Sequence, residues 1–129
     1  MLLTPTYHVF RMHKVFQDAT YLPVSLADNP DYRLGEYSVP KISASAAKGA
    51  DGKTWITLVN TDPSKSEKVE ITGNYKQLVG ELLTAKTMDA HNTFDAPNAV
   101  KPEAFSAKAS KGKLVIELPA KAVLVAELK

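Results

Sequence analysis

The sequence predicts a mainly β fold, an antiparallel β-sandwich of the jelly-roll type preceded by one N-terminal α-helix. Two observations carry this prediction. Apolar residues recur at helical spacing up to Asp18 and afterwards alternate with polar residues, which is typical of strands with one buried face. From there on, alternating segments follow one another at intervals of about 8 to 12 residues with turn residues between them, as in sandwiches and jelly rolls.

The predicted helix covers residues 6–18. Thr4 and Pro5 suit its N-cap and first position, because a threonine hydroxyl accepts from a free backbone N–H and proline has no N–H to leave unsatisfied. At 100° per residue, four apolar side chains share one arc of about 120°: Val9, Met12, Val15 and Phe16. Tyr7 and Phe10 lie outside this arc, so we expect the helix to pack against more than this domain.

The alternating part of the sequence predicts a series of short strands. We expect them at residues 22–26, 37–46, 53–60, 67–72, 78–84, 104–110, 114–118 and 123–128. Pro23 restricts the first strand to the edge of a sheet, because proline has no backbone N–H to donate to a neighbour. The segment 53–60 carries apolar residues on both faces, among them Trp55 and Ile56, which is typical of a central strand.

Turn residues separate these strands. They stand at 28–31, 51–52, 62–64, 73–74 and 111–112, and Pro119 breaks the chain before the last strand. Asp51-Gly52 is a strong hairpin signal, because glycine accepts the positive φ that a tight two-residue turn requires. Residues 85–102 form the one long irregular stretch. Loops of this length are uncommon in compact domains and are often functional or packed against a neighbour.

The composition is that of one ordinary soluble domain of 129 residues, 44% of them hydrophobic and 23% charged. A complete (β/α)₈ barrel needs about 250 residues and does not fit. The apolar runs span only a few residues, against the ~20 needed to cross a bilayer, so we expect no membrane-spanning segment. The first residues contain no basic stretch and break at Pro5, so we expect no signal peptide.

The charges do not indicate a polyanionic partner. Sixteen lysines and arginines against fourteen acidic residues give a net charge of +2, and these charges are scattered along the chain. We therefore expect no nucleic-acid partner. The chain has no cysteine, which excludes disulfides, iron–sulfur clusters and thiolate zinc sites but leaves the cellular compartment open.

No residue pattern predicts a metal or a cofactor. His8 and His13 lie about 140° apart around a helix, so they cannot grip one ion as an i, i+4 pair would, and we interpret His8 as a packed structural histidine. Asp89, His91 and Asp95 form the only tight cluster of potential ligands, but their spacing matches neither the EF-hand loop nor a zinc site. We interpret them as turn-forming residues, because aspartates in loops hydrogen-bond the local backbone.

The sequence also contains no sign of a catalytic site. Glycoside hydrolysis requires two carboxylates about 5.5 Å apart for retention or ~6.5–9.5 Å apart for inversion. None of the fourteen acidic residues stands in an apolar context that would raise its pKa. A Gly-x-Ser-x-Gly elbow is absent as well, so a serine nucleophile has no support.

A carbohydrate-binding module is the alternative function that we considered. It requires at least two exposed, coplanar aromatic rings, and the candidates are Tyr21, Tyr37, Trp55 and Tyr75. Trp55 stands mid-strand beside Ile56, so we expect it to pack against the sheet or the core. Tyr75 follows the Gly73-Asn74 turn and is the best candidate for an exposed ring.

Two stretches of the chain resemble a known family. One is Thr-Pro-Thr-Tyr-His-Val-Phe at 4–10, continued by Val-Phe-Gln-Asp-Ala at 15–19. The other comprises Leu-Thr-Ala at 83–85, Met-Asp-Ala-His-Asn-Thr-Phe-Asp-Ala-Pro at 88–97 and Val-Lys-Pro at 100–102, with Ile-Ser-Ala-Ser at 42–45 and Thr-Leu-Val-Asn at 57–60 fitting between them. The first resembles the last barrel helix of family 51 α-L-arabinofuranosidases, and the second resembles a loop in their C-terminal β-sandwich.

This resemblance covers essentially the whole chain and implies its domain organisation. Residues 1–19 would be the remnant of the last helix of a (β/α)₈ barrel, and residues 20–129 would be the C-terminal β-sandwich domain. In such enzymes, two barrel glutamates release terminal arabinofuranosyl groups of arabinan and arabinoxylan with retention. The acid/base glutamate follows an asparagine, whereas this chain has no Asn-Glu pair, and the nucleophile lies upstream of the matched segment. No catalytic residue is assigned, and we expect the chain alone to be inactive.

The resemblance implies that the partner is the (β/α)₈ catalytic barrel of the same full-length enzyme. The candidate contacts with this barrel are Tyr7, Phe10, His91, Asn92 and Phe94. In the family, an N-terminal segment of the full enzyme adds a strand to the sandwich, so the isolated chain would expose an unpaired strand edge and an uncovered helix face. Both features favour association, and we expect the isolated chain to form a homodimer.

Overall fold

The structure is a computed structural model that describes all 129 residues. It contains one α-helix, a short 3₁₀ helix and ten strands. In chain order these are α1 (Pro5–Met12), the 3₁₀ helix (His13–Phe16), β1 (Thr20–Leu22), β2 (Asp31–Leu34), β3 (Tyr37–Pro40), β4 (Ile42–Lys48), β5 (Thr54–Asn60), β6 (Glu67–Ile71), β7 (Gln77–Leu83), β8 (Glu103–Lys108), β9 (Leu114–Leu118) and β10 (Val123–Leu128).

The strands form a two-layered antiparallel sandwich. Six of them make the larger sheet in the order β1-β4-β5-β10-β7-β8, and β6 pairs with β9 in a second sheet of two strands. A main core of twelve buried residues combines side chains of both sheets, including Leu58 and Leu124 from the larger sheet and Leu118 from β9. The predicted fold class, a mainly β sandwich with one N-terminal helix, is confirmed.

The other face of the larger sheet is covered by the helix and by the long irregular segment. A second cluster forms there around four buried residues: Met12, Leu83, Val100 and Val125. Trp55 packs against this cluster from the outer face of β5, as expected from its place in a strand with two apolar faces. The predicted central position of this strand is confirmed, because β5 lies between β4 and β10.

The helix begins as the sequence predicts and ends earlier. The Thr4 hydroxyl accepts a hydrogen bond from the Tyr7 N–H at 3.1 Å, and Pro5 is the first helical residue. The α-helix stops at Met12 and continues only as a 3₁₀ helix, instead of running to Asp18. At this point the His13 ring bridges the helix to the sheet, since its Nδ1 lies 2.8 Å from the Val9 carbonyl oxygen and its Nε2 lies 2.8 Å from the hydroxyl of Thr57 on β5. These bonds tie the last turn to the sheet.

Two predicted strands differ in extent from the observed ones. The first, expected at residues 22–26, is observed as Thr20–Leu22 and ends directly before Pro23, and it lies at the edge of the larger sheet as predicted. The segment 37–46 is divided at Lys41, where the chain turns from β3 into β4. The division is stabilised by the Lys41 N–H, which donates to the carbonyl of Pro30, and by the Thr61 hydroxyl, which donates to the carbonyl of Pro40.

Strand β2 was not predicted, because part of it falls in the segment 28–31 that we interpreted as a loop. It pairs with β3 around Gly35, whose φ of +60° is accessible to glycine without strain. The predicted hairpin turn at Gly52, between β4 and β5, and the predicted turn at Lys111-Gly112, between the two sheets, are confirmed, and all three of these residues have positive φ. The one α-helix is too short to span a lipid bilayer.

Candidate partner-binding surface

The outer face of α1 carries two exposed aromatic rings. His8 and Met12 face the sheet and are buried, whereas Tyr7 is 45% exposed and Phe10 is 76% exposed. Residues three apart on a helix lie on neighbouring positions of its surface, so the two rings form one aromatic patch. The burial of His8 agrees with its interpretation as a packed histidine.

The inner face of α1 is held to the larger sheet by polar contacts as well as by apolar packing. The two terminal guanidinium nitrogens of Arg11, Nη1 and Nη2, donate to the carboxylate of Glu81 on β7, and this pairing raises the pKa of Arg11. The His13 ring bridges the helix end to Thr57 on β5. The helix therefore has a defined orientation on the sheet, and its aromatic patch points away from it.

The long segment between β7 and β8 is organised by one buried amide. Asn92 is 6% exposed, and its Nδ2 donates to the carbonyls of Leu3 and Val100, both at 2.8 Å. Its Oδ1 accepts from the N–H of Val100 at 2.7 Å. Asn92 therefore joins the long segment to the residues that precede α1. Its polar atoms bond the chain's own backbone, so Asn92 shapes the loop and does not itself lie on the surface.

Other side chains of this segment point outward. Phe94 is 85% exposed, Met88 is 73% exposed, and His91 is exposed with its Nδ1 2.9 Å from the carbonyl of Asp89. The Thr87 hydroxyl bonds the carboxylate of Asp89 and is the main reason why the pKa of Asp89 lies below its usual value. These local bonds agree with the turn-forming interpretation of Asp89 and His91.

Of the five predicted contact residues, the structure places four on the surface and one inside. Tyr7 and Phe10 lie on the helix, His91 and Phe94 lie on the long segment, and Asn92 is buried beneath it. The helix and the long segment pack against the same face of the larger sheet through the second cluster. They form a continuous surface layer, which we call the outer layer.

The tyrosine chosen from the sequence as the best exposed ring is half-buried. Tyr75 packs against the main core, which corrects the prediction that its turn leaves it in solvent. Trp55 is half-buried against the second cluster. Tyr21 and Tyr37 are exposed, but Tyr21 lies on the larger sheet and Tyr37 on the separate β2–β3 hairpin. Tyr21 and Trp55 stand in one cross-strand row on either side of Ala47, but Trp55 is half-buried, so of the four candidates only Tyr21 presents an exposed ring on the larger sheet.

A polar cluster that sequence reasoning missed lies where β5 ends. The Nδ2 of buried Asn60 donates to the carbonyls of Lys65, Leu118 and Pro119, at 3.0–3.2 Å. Its Oδ1 accepts from the N–H of Asp62. The amide therefore links the larger sheet to the segments around β6 and β9. Its only signal in the sequence is a polar residue at an inward position of an apolar strand.

Two carboxylates stand close together in this cluster, but their electrostatics do not suit acid catalysis. The Nζ of Lys41 lies 2.6 Å from Glu67 and 3.7 Å from Asp62. The backbone N–H groups of Ser64 and Lys65 bond the Asp62 carboxylate and lower its pKa. A general acid in a glycosidase requires a raised pKa. The pair is therefore a structural ion cluster.

Taken together, these features define a class: a β-sandwich whose buried polar clusters bond its own backbone and whose outer layer carries the exposed rings of Tyr7, Phe10 and Phe94. The particular family follows from its relatives. The family model described as "Alpha-L-arabinofuranosidase C-terminal domain" matches residues 1–122, and the chain belongs to this family. The resemblance inferred from the sequence is confirmed.

Individual relatives agree with this assignment. The chain is 41% identical to an intracellular exo-α-L-arabinofuranosidase of Bacteroides ovatus, over the whole chain but only 26% of that protein. The crystal structure of a family 51 arabinofuranosidase from Xanthomonas axonopodis pv. citri matches the whole chain with a TM-score of 0.93 and 39% identity, over 27% of its own length. A family 51 enzyme from Thermotoga petrophila has a similar fold, with a TM-score of 0.78, 21% identity, and coverage of 99% of this chain and 29% of its own length. The chain thus spans about a quarter of these relatives.

Proposed function

We propose that this chain is the non-catalytic, structural part of an α-L-arabinofuranosidase and that it braces the catalytic barrel of the full-length enzyme. The observation that carries the proposal is its coverage: a relative at 41% identity contains the whole chain as only 26% of its length. Residues 1–19 would then be the last helix of the barrel, and residues 20–129 the sandwich domain.

The outer layer is the surface through which this bracing would occur. Tyr7 and Phe10 on α1, with His91 and Phe94 on the long segment, offer exposed rings that a neighbouring domain could bury. Aromatic side chains bury ~150–250 Å² each when covered, so a few of them supply much of an interface. Asn92 supports this surface by fixing the loop to the start of the helix.

A rigid brace would matter because of the chemistry that the family performs. Retaining hydrolysis requires two carboxylates at a separation of about 5.5 Å. Because a misplacement of about 1 Å can reduce the rate ~100-fold, a domain that keeps the barrel from distorting contributes to the rate without touching the substrate. The substrate class is a terminal α-L-arabinofuranosyl group, as in arabinan and arabinoxylan.

The smaller sheet supports the further proposal that a segment of the full-length enzyme adds a strand. Strand β6 pairs with β9 on one side only. Beside it lies an open cavity of about 340 Å³ with a mainly apolar lining that includes Leu22, Val69 and Tyr75. An extended segment could fill this space and use the free edge of β6. Without it, the free edge and the outer layer favour pairing with a second copy, so the isolated chain would dimerise.

The activity of the isolated chain tests the non-catalytic role. With an aryl α-L-arabinofuranoside, we expect the hydrolysis rate to equal that of buffer. Turnover above this background would contradict the proposal.

Titration with arabino-oligosaccharides tests the carbohydrate-binding alternative. Followed by tyrosine and tryptophan fluorescence, it should give no saturable change, whereas a saturable change would favour that alternative.

Light scattering over a concentration series tests self-association of the isolated chain. It should reveal a dimer, and a monomer at the highest concentration would contradict self-association.

Binding to the part of a relative that this chain does not cover tests the bracing role. The chain is produced in one cell with a tagged fragment comprising the first three quarters of the Bacteroides ovatus relative, and the amount that co-purifies is measured. We expect the wild-type chain to be retained and the double variant Phe10→Ser/Phe94→Ser to be retained at least about tenfold less, since exposed aromatic rings are typical binding hot spots. Val115→Ser, which alters an exposed residue of β9, is the matched control and should behave as wild type.

A further inference from the structure

The hairpin formed by β2 and β3 has an apolar face that is largely exposed, with only Tyr32 half-buried. Its cross-strand pairs Tyr32–Val39 and Leu34–Tyr37 place four apolar or aromatic side chains on one face, because alternate residues of a strand point to the same side. The opposite face is polar, and there the Ser38 hydroxyl donates to the carboxylate of Asp31 at 2.7 Å. This two-sided pattern is typical of a sheet that packs one face against something else.

The exposure of this face is unusual for such a pattern. Leu34 is 68% exposed, Tyr37 is 73% exposed and Val39 is 45% exposed. Both strands pair only with each other. An isolated two-stranded hairpin is at best marginally stable in water, and a cluster of exposed apolar side chains of this kind marks an interaction site. A partner that covered the face would stabilise the hairpin and remove the apolar surface from solvent.

The base of the hairpin shows where it projects from the sandwich. Asn29 bonds both the N–H and the carbonyl of Ile42, and the Thr61 hydroxyl donates to the carbonyls of Pro40 and Lys41. The hairpin therefore leaves the larger sheet where β4 begins and β5 ends.

The same end of the sandwich carries part of the outer layer. Thr61 lines a cavity of about 270 Å³ that is also lined by Pro5 at the start of α1 and by Met88 of the long segment. The hairpin base, the start of the helix and the long segment thus surround one end of the molecule. A single large body placed at this end would meet all three.

The size of the apolar face distinguishes a second copy of this chain from a larger partner that also covers the outer layer. Its three exposed side chains offer roughly 300 Å², given that one covered aromatic ring buries ~150–250 Å². Two hairpins stacked against each other would bury only roughly 600 Å², below the ~1,200 Å² of a stable protein–protein interface. A partner that covered the hairpin together with the outer layer would exceed this threshold. A second copy that docks through the hairpin alone would not.

We infer that the apolar face of the β2–β3 hairpin is a further docking surface for the polypeptide that precedes this domain in its relatives. The inference rests on the proposed function, because it requires that this polypeptide, which makes up about three quarters of the relatives, also contacts the outer layer. The hairpin acts as an arm that holds the catalytic part at a second point, apart from the helix, and so restricts rotation of one domain on the other.

The test uses the same co-production with the first three quarters of the Bacteroides ovatus relative. The variant Leu34→Ser/Tyr37→Ser should be retained at least about tenfold less than wild type, whereas Val115→Ser should be retained fully. A second measurement does not depend on any variant: hydrogen exchange of the amides of residues 31–40 in the wild-type chain should slow at least about tenfold in the complex.

The possible outcomes separate this inference from the proposed function. Suppose that the hairpin variant is retained as well as wild type, that exchange of residues 31–40 is unchanged, and that Phe10→Ser/Phe94→Ser is no longer retained by the fragment. The hairpin inference is then wrong and the bracing role stands. If the wild-type chain is not retained at all, both are wrong. If exchange of residues 31–40 slows when the chain alone is concentrated, and the fragment slows it no further, the hairpin binds a second copy and the inference is overturned.

Discussion

The two faces of the larger sheet differ in how completely they are covered. The inner face meets the β6–β9 sheet, and the resulting main core contains twelve buried residues. The outer face meets one helix and one irregular segment, and its cluster contains four buried residues while aromatic rings remain exposed above it. The inner face therefore contributes the larger share of the buried core, whereas the outer layer leaves apolar side chains in solvent. This difference agrees with the proposal that the outer layer meets a further part of the enzyme.

The largest expected effect comes from truncating equivalent leucines on the two faces. Leu124→Ala in the main core should lower the free energy of unfolding by about 4 kcal/mol, and Leu83→Ala in the second cluster by about 2 kcal/mol, because the thinner outer layer can relax into the cavity. Urea denaturation followed by circular dichroism measures both values. Equal losses would show that the two faces are packed equally well.

Two buried asparagines, Asn60 between the two sheets and Asn92 in the outer layer, allow a second comparison of the two faces. Asn60→Ala should cost about 2–3 kcal/mol of global stability, because it leaves one buried and two partly buried carbonyls without their donor. Asn92→Ala should cost less than half as much globally and instead accelerate hydrogen exchange and proteolysis within residues 85–102. A global loss from Asn92→Ala as large as that from Asn60→Ala would mean that the loop is part of the main folding unit.

The free energy of unfolding at low pH should depend on the polar cluster at the end of β5, which contains Asn60, Lys41 and Asp62. The pKa of Asp62 is lower in the folded state than its usual value, so this carboxylate stabilises the protein above pH ~4, and the contribution is lost as the pH falls through the folded pKa. Asp62→Asn should lower stability at pH 7 and flatten the decline of stability as the pH falls below about 4. Asp95→Asn, at an exposed loop position, should leave the curve unchanged, and an identical change in both variants would contradict the assignment.

The smallest expected effect concerns the aromatic patch of the helix. Phe10→Ser should change the free energy of unfolding of the isolated chain by less than about 0.5 kcal/mol, because the ring is already in solvent. Phe16→Ser, which removes a ring that packs on the second cluster, should cost more. Thermal unfolding of the two variants compares them directly. A large loss from Phe10→Ser would mean that its ring supports the fold rather than a partner.

Much of the fold could be predicted because its signals are local. The Thr4-Pro5 helix start depends on one hydroxyl and one missing N–H, and the strand that became β5 shows its central position by apolar residues on both faces. Strand β2 escaped prediction, since a four-residue strand is too short for alternation to stand out, whereas β3 fell within the predicted strand 37–46. Tyr75 was misjudged because a ring beside a turn can fold back onto the core, and the adjacent sequence carries no sign of it.

The candidate surface was predictable in part for the same reason. Tyr7 and Phe10 stand on the wrong side of an amphipathic helix, which helical periodicity reveals directly. The inward position of Asn92 was not predictable, because its partners lie at Leu3 and Val100 and only the folded loop brings them together. The cluster around Asn60 and Lys41 was missed on similar grounds.

The sequence by itself determined the fold class, the positions of most strands and turns, and the family to which the chain belongs. Only the tertiary structure decided that β6 pairs with β9, that the larger sheet has the order β1-β4-β5-β10-β7-β8, and that the helix and long segment share one face of it. The physical reason is that alternation reports which side of a strand is apolar, and nearly every strand here has that property. Which strands become neighbours depends on how all the apolar faces can be covered at once, and no short window of sequence contains that information.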